Sequence, residues 1–150
     1  MDYIGLERIK ALQAIREEIS QLQAVERSLL RPLLSSYKDI PKVLEAFMTV
    51  TGTKSTAGTW MAVESRKKFI FIAIFIFAPG MILGDNMPKC LRAELGKALG
   101  IKAVSAISNN WTDALFYYHQ YSEFRSEIKR ITSAILIALG IEPQSKSMAN

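Results

Sequence analysis

The apolar positions in the first thirty residues follow the period of an α-helix. Pro32 cannot continue a helix, so the pattern predicts a long amphipathic helix that ends before it. Its drift from a strict heptad leaves two alternatives, burial against the same chain or a coiled-coil dimer. The apolar side is formed at helical spacing by Ile4, Leu12, Ile15, Ile19, Leu22, Leu29 and Leu30.

Helical signals continue through most of the remaining chain. "KDIPKVLEAFMTVTG" predicts a compact helix with Pro41 in its first turn and Gly52 as its stop. "TKSTAGT" has the composition of a loop. Residues 101–139 contain neither Gly nor Pro, and Ser122 is a suitable N-cap that would divide this region into two helices.

An uncharged run of fifteen residues, Phe69 to Leu83, stands out in the middle of the chain. A bilayer span needs about 20 apolar residues, and Pro79 and Gly80 shorten the usable helix further. A buried core helix is therefore the favoured interpretation. The aromatic and β-branched content leaves a buried strand as a second possibility and a membrane contact as a third.

The stretch "ELGKALGIKAVSAISNNW", from Glu94 to Trp111, predicts two helices joined by a short turn at Gly100. This is the plan of a helix-turn-helix, although an ordinary helical hairpin has the same pattern. The inner side of the second helix would be anchored by Val104, Ile107, Trp111 and Leu115. The outer side would carry Lys102, Ser105, Ser108, Asn109 and Thr112.

The net charge of +5 is carried by the second part of the chain. Residues 1–45 hold seven basic and seven acidic side chains, so that part is neutral. The remaining 105 residues hold twelve basic and seven acidic side chains. A basic region of this kind suits a polyanionic partner such as nucleic acid or an anionic membrane face.

Catalytic chemistry finds little support in the sequence. His119 is the only histidine and Cys90 the only cysteine, and the two do not make a zinc site. We therefore expect no metal, no cofactor and no enzymatic activity. A single cysteine needs no oxidising compartment, and "MDYIGLERIK" lacks the apolar segment of a secretory signal, so we expect a cytoplasmic protein.

The order of segments resembles the C-terminal DNA-binding domain of the bacterial replication initiator DnaA. The likeness runs over about residues 41–131, through "VLEAFMTVTG", "SRKKFIFIAIFIF", "LRAELGKALG", "VSAISNNW" and "EFRSEIKRI". The resemblance implies that Arg66, with Lys67 and Lys68 beside it, contacts the DNA backbone or minor groove. The "DHTTVLHA" signature of the family is replaced here by "AVSAISNN", so its origin-box specificity is not carried over.

Together these features predict an all-α protein with a helix-turn-helix domain and a long N-terminal amphipathic helix. We assign residues 1–38 to that helix, which is a possible dimerisation element, residues 39–140 to the DnaA-like domain and residues 141–150 to a flexible tail. The expected partner is double-stranded DNA, with the protein acting as a regulator or accessory factor of a bacterial, phage or mobile-element system. Base edges would be contacted by Ser105, Ser108, Asn109 and Thr112, and phosphates by Arg66, Lys67, Lys68, Arg92, Lys97 and Lys102.

Two other functions compete with DNA binding. In one, the N-terminal helix and the aromatic face of "WTDALFYYHQY" dock onto a protein partner or build an assembly. In the other, which we regard as the weaker, Phe69–Leu83 makes a small membrane-associated protein of phage type.

Overall fold

The computed structural model describes residues 3–53 and 62–141, and over these residues the chain is all-α. Most of the predicted loop "TKSTAGT", and the predicted flexible tail beyond Ile141, lie outside the described residues. Within the described ranges there are six α-helices and no strand, and none of these helices is long and apolar enough to cross a membrane. The helices are α1 (Tyr3–Leu29), α2 (Ile40–Thr51), α3 (Val63–Phe77), α4 (Lys89–Leu99), α5 (Val104–Gln120) and α6 (Ser122–Ala138), with short 3-10 helices at Tyr37–Asp39 and Pro79–Leu83.

The chain divides into two compact units, Met1–Arg31 and Pro32–Asn150. The sequence placed this boundary after residue 38, seven residues later. The segment in between belongs to the second unit because the Leu33 amide donates to the Ile76 carbonyl oxygen at 2.8 Å. Leu34 and Tyr37 also pack against the core of that unit. A run of residues without helical periodicity therefore still has a fixed place in the domain.

The first unit consists of α1, a helix of 27 residues. Its large apolar side chains are exposed by 41–64%, as follows: Leu6, Ile9, Leu12, Ile15, Ile19, Leu22, Val25 and Leu29. Exposed apolar side chains in such number commonly mark an interaction surface. The exposure marks α1 as a helix with an unpaired apolar side.

The second unit is built around α3. Its residues Phe69–Ile74, Ile76 and Phe77 are buried, and the Phe69 ring packs edge-on against Phe47 of α2 with centroids 5.5 Å apart. A helix that is apolar on every side needs neighbours all round it. The uncharged run is thus a core helix as far as Phe77, as favoured from the sequence, and the strand alternative is wrong.

The helices begin and end at the predicted proline, glycine and serine positions, with one difference. Pro41 lies in the first turn of α2, and Gly52 ends that helix in the left-handed conformation, at φ 69°, which glycine adopts without a Cβ penalty. The predicted division between α5 and α6 is also present. Ser122, however, is the first residue of α6 rather than its cap, because the extended Tyr121 occupies the cap position without a side-chain hydrogen bond.

Candidate DNA-binding surface

The turn between α4 and α5 is closed by backbone hydrogen bonds. The Gly100 amide donates to the Lys97 carbonyl at 3.2 Å, and the Ile101 amide donates to the Gly96 carbonyl at 2.8 Å. Gly100 has φ 69°, so this pair of bonds is a Schellman motif. The motif satisfies the last carbonyls of α4 and fixes the direction in which the chain leaves for α5.

Gly96 is a structural requirement of this turn that the sequence analysis did not identify. It is buried in α4, and a Cβ atom there would lie 2.9 Å from the Ile101 carbonyl oxygen. That oxygen belongs to the backbone of the turn and cannot rotate away as a side chain would. The signal available in the sequence was the pair of glycines four residues apart, in "LGKALG".

The inner side of α5 is held firmly from its second turn onwards. Ile107 and Ala114 are buried, and the Trp111 ring lies 5.5 Å from that of Phe71 on α3. Leu115 is half-buried against the same core. These contacts match the predicted anchoring and set the rotation of α5 about its own axis.

Val104 was predicted to share this anchoring, and that prediction is wrong. Its side chain is 54% exposed. Val104 is the first residue of α5 and lies one turn before Ile107 on the same side of the helix. The helix therefore starts beyond the edge of the core, and its first turn projects into solvent.

The four predicted base-reading residues lie on one side of the first three turns of α5, opposite its buried residues. Ser105, Asn109 and Thr112 are exposed and Ser108 is half-buried, and positions separated by three, four and seven residues share a helix face. The Thr112 hydroxyl donates to the Ser108 carbonyl at 3.0 Å, which leaves its oxygen lone pairs to accept. Asn110, by contrast, donates its amide to the Ala106 carbonyl at 2.9 Å.

The six predicted phosphate contacts do not form a uniform group. Lys97 and Lys102 are exposed, although Lys97 lies 3.7 Å from Glu94 in an ion pair on α4. Arg66 and Arg92 are half-buried, and the Nε atom of each is buried without a hydrogen-bond partner among the described residues. Lys97 and Lys102 are thus the most accessible of these cations.

Lys67 is engaged with α5 instead of with solvent. Its side chain is 13% exposed, and its Nζ atom lies 3.3 Å from Asp113 Oδ2, 3.4 Å from the Tyr117 hydroxyl and 4.9 Å from the Tyr117 ring centroid. Burial acts to lower the pKa of Lys67, but the contacts to Tyr117 and Asp113 outweigh it and raise that pKa. Lys67 therefore stays charged and compensates Asp113, a half-exposed carboxylate one residue after Thr112.

Lys68 is engaged in the same way with α6. Its Nζ atom lies 2.5 Å from Glu127 Oε2, and Arg130 approaches the other oxygen of Glu127 at 2.9 Å. Hydrogen bonds from Lys68 and then from Arg130 lower the pKa of Glu127. Lys67 and Lys68 of "SRKK" thus link α3 to α5 and α6, whereas Arg66 forms no ion pair among the described residues.

The aromatic segment at the end of α5 is divided between core and surface. Tyr118 stacks on Phe71 with centroids 4.5 Å apart, whereas Phe116 and Tyr121 are each 54% exposed. An open groove of about 1060 Å³ runs beside Tyr121. It is lined by Glu64, Lys68, Tyr117, Gln120, Tyr121, Ser122, Glu123, Phe124, Ser126 and Glu127.

Comparisons with protein-family models, with curated proteins and with solved structures find no match to this chain. The resemblance to the DnaA domain therefore stays a prediction based on segment order.

Proposed function

We propose that this protein binds double-stranded DNA by placing the projecting end of α5 in the major groove. The observation that carries the proposal is the two-sided character of α5. Ile107, Trp111 and Ala114 are locked into the core, while the opposite side carries exposed hydroxyl and carboxamide groups. A rigid helix with a polar, accessible N-terminal half is the element that reads base edges in helix-turn-helix proteins.

The chemistry of the exposed groups supports the proposal. A carboxamide such as that of Asn109 can accept from the adenine amino group and donate to N7, and a hydroxyl can pair with several bases. Lys97 in the last turn of α4 and Lys102 in the turn are exposed cations that shortly precede α5 in the chain. Such charges add sequence-independent attraction to phosphates.

We further propose that the protein acts as a homodimer through α1. The exposed apolar side of that helix is the specific observation in favour of it. The same observation supports the competing function, a protein that assembles with protein partners and binds no DNA. Two readouts separate these functions, namely DNA affinity and oligomeric state.

The first test is enrichment of random duplex DNA by the purified protein at low salt, with sizing in parallel. We expect a recovered sequence preference and a dimer. Enrichment without any preference would limit α5 to phosphate contacts, and large oligomers without DNA binding would favour the assembly function.

A salt titration tests the phosphate contacts separately. Lys102→Ala should lower the slope of log affinity against log salt by about two units for a bound dimer, because each copy releases about one fewer counterion. Lys129→Ala is the matched control, since Lys129 is an exposed lysine on α6, away from the proposed surface. Equal slopes for both variants would remove Lys102 from the interface.

A further inference from the structure

The exposed side of α1 has a symmetry that bears on how two copies would pair. Taking the rotation of about 100° per residue in an α-helix, six of the side chains that the structure describes fall within a stripe about 80° wide. Four of them are apolar and exposed by 48–64%, and the two outer ones are charged and exposed. In chain order the stripe is Arg8, Leu12, Ile15, Ile19, Leu22 and Glu26.

These six positions are arranged symmetrically about Glu17. Ile15 and Ile19 are equally distant from it along the chain, as are Leu12 and Leu22, and as are Arg8 and Glu26. The spacing of four, three, four, three and four residues is that of alternating core positions in a heptad repeat. The stripe therefore presents the same apolar pattern in both directions, with opposite charges at its two ends.

We propose that two copies of α1 pair antiparallel about Glu17. Leu12 of each copy then faces Leu22 of the other, Ile15 faces Ile19, and Arg8 faces Glu26 at both ends of the apolar stripe. This pairing rests on the α1 dimer of the proposed function, and it does not depend on DNA binding.

Charge is what selects the antiparallel direction. In a parallel pair in register, Arg8 would face Arg8 and Glu26 would face Glu26 at core positions, and like charges at such positions disfavour a pairing. The antiparallel pair replaces both repulsions by attractions. The antiparallel pair has one cost, because Arg16 lies near Arg16 of the other copy and Glu18 lies near Glu18 of the other copy. These side chains lie at the flanks of the stripe, where solvent screens the repulsion between like charges.

The pairing also sets the distance between the C-terminal ends of the two copies of α1. Leu29 ends α1 twelve residues from Glu17. At 1.5 Å of rise per residue, the two copies of Leu29 would lie about 36 Å apart along the common axis.

Crosslinking of the full-length protein tests the direction of pairing. Leu12→Cys and Leu22→Cys are made separately in a Cys90→Ser background, since Cys90 is an exposed thiol. They are then mixed in equal amounts and treated with a short bismaleimide. Trypsin releases positions 12 and 22 in different peptides, because Arg16 lies between them, so mass spectrometry identifies which positions were joined.

The expected product joins position 12 of one copy to position 22 of the other. Antiparallel copies of position 12 are about 15 Å apart along the axis, so Leu12→Cys alone should crosslink poorly. A majority of 12–12 and 22–22 products would overturn the antiparallel pairing. A monomer at all concentrations would overturn both this pairing and the α1 dimer, whatever DNA binding shows.

Charge reversal gives a second test that leaves the apolar core intact. Arg8→Glu and Glu26→Arg should each weaken the dimer about tenfold in sedimentation equilibrium, since two attractions become repulsions. The combination of both changes should restore the dimer to within about threefold, because the pairs re-form with their signs exchanged. In a parallel dimer neither single reversal changes the balance of like charges, so wild-type affinity of both single variants would overturn the proposal.

Discussion

Replacing Gly96 by alanine tests whether the α4–α5 turn depends on close approach of two backbone segments. In an ordinary helix position this change stabilises a protein by about 1 kcal/mol, because alanine has the higher helix propensity. Here the new Cβ would lie 2.9 Å from the Ile101 carbonyl oxygen. The same carbonyl belongs to the residue whose amide closes the turn onto Gly96.

The magnitude follows from these opposing effects. Forcing an extra methyl group into a packed site costs about 1–3 kcal/mol, of which the propensity gain returns about 1 kcal/mol. We therefore expect Gly96→Ala to lower the free energy of unfolding by about 1 kcal/mol. Because the displaced segment leads directly into α5, we also expect weaker DNA binding under conditions in which the variant is fully folded.

Urea denaturation followed by circular dichroism measures the first effect, and binding to a selected duplex measures the second. Ala93→Gly is the matched control, because Ala93 is an exposed position on the same helix and reports the ordinary glycine–alanine difference there. The reasoning would be refuted if Gly96→Ala stabilised the protein by about the amount that Ala93→Gly destabilises it, with DNA affinity unchanged.

Three further outcomes are expected from single substitutions. Asn109→Ala should cost about 1–3 kcal/mol of binding free energy and relax the preference at one base pair. Asn110→Ala, which removes a hydrogen bond within α5, should leave the preference unchanged. If both variants select the same DNA motif, Asn109 makes no base contact. Glu127→Gln should make the free energy of unfolding depend less on pH in the acid range. The lowered pKa of Glu127 stabilises the fold above the ordinary glutamate pKa, and this contribution disappears as the pH falls through the lowered value. Parallel curves of unfolding free energy against pH for wild type and variant would contradict this expectation. Thr132→Val should raise the free energy of unfolding by about 1 kcal/mol in a thermal or urea melt, because the Thr132 hydroxyl is buried without a hydrogen-bond partner among the described residues. A less stable variant would show that this hydroxyl does form a hydrogen bond.

The starts and ends of helices were the part of the fold that could be predicted from the sequence. Pro41 and Gly52 bound α2 because proline fixes φ at a helix start and glycine accepts a left-handed φ at its end. Gly100 acts in the same way after α4. The uncharged run could be assigned to the core because a helix without a polar side needs cover on all sides. Each of these signals depends only on neighbours along the chain.

Pairings between distant residues could not be predicted in this way. Lys67 and Asp113 are 46 positions apart, and nothing in either local sequence indicates that they meet. The same holds for Lys68 and Glu127. A basic run next to an apolar segment looks the same whether its charges face a ligand or the next helix. Only the packing of α3 against α5 and α6 distinguishes the two.

These pairings leave few cations of the second unit for the proposed phosphate contacts, so we expect one copy alone to bind DNA weakly. With Lys67 and Lys68 engaged in the fold, each phosphate contact that remains carries a larger share of the affinity, and few contacts give a shallow dependence on salt. A dimer doubles the number of contacts and makes the second binding event intramolecular, which can raise affinity by about 10²–10⁴-fold without any new contact. In the proposed complex, the apolar side of α1 and the polar side of α5 would therefore both be needed for tight binding. A dimer defect introduced by Arg8→Glu should weaken DNA binding as well as self-association, although Arg8 is on α1 and not on the proposed DNA-binding surface.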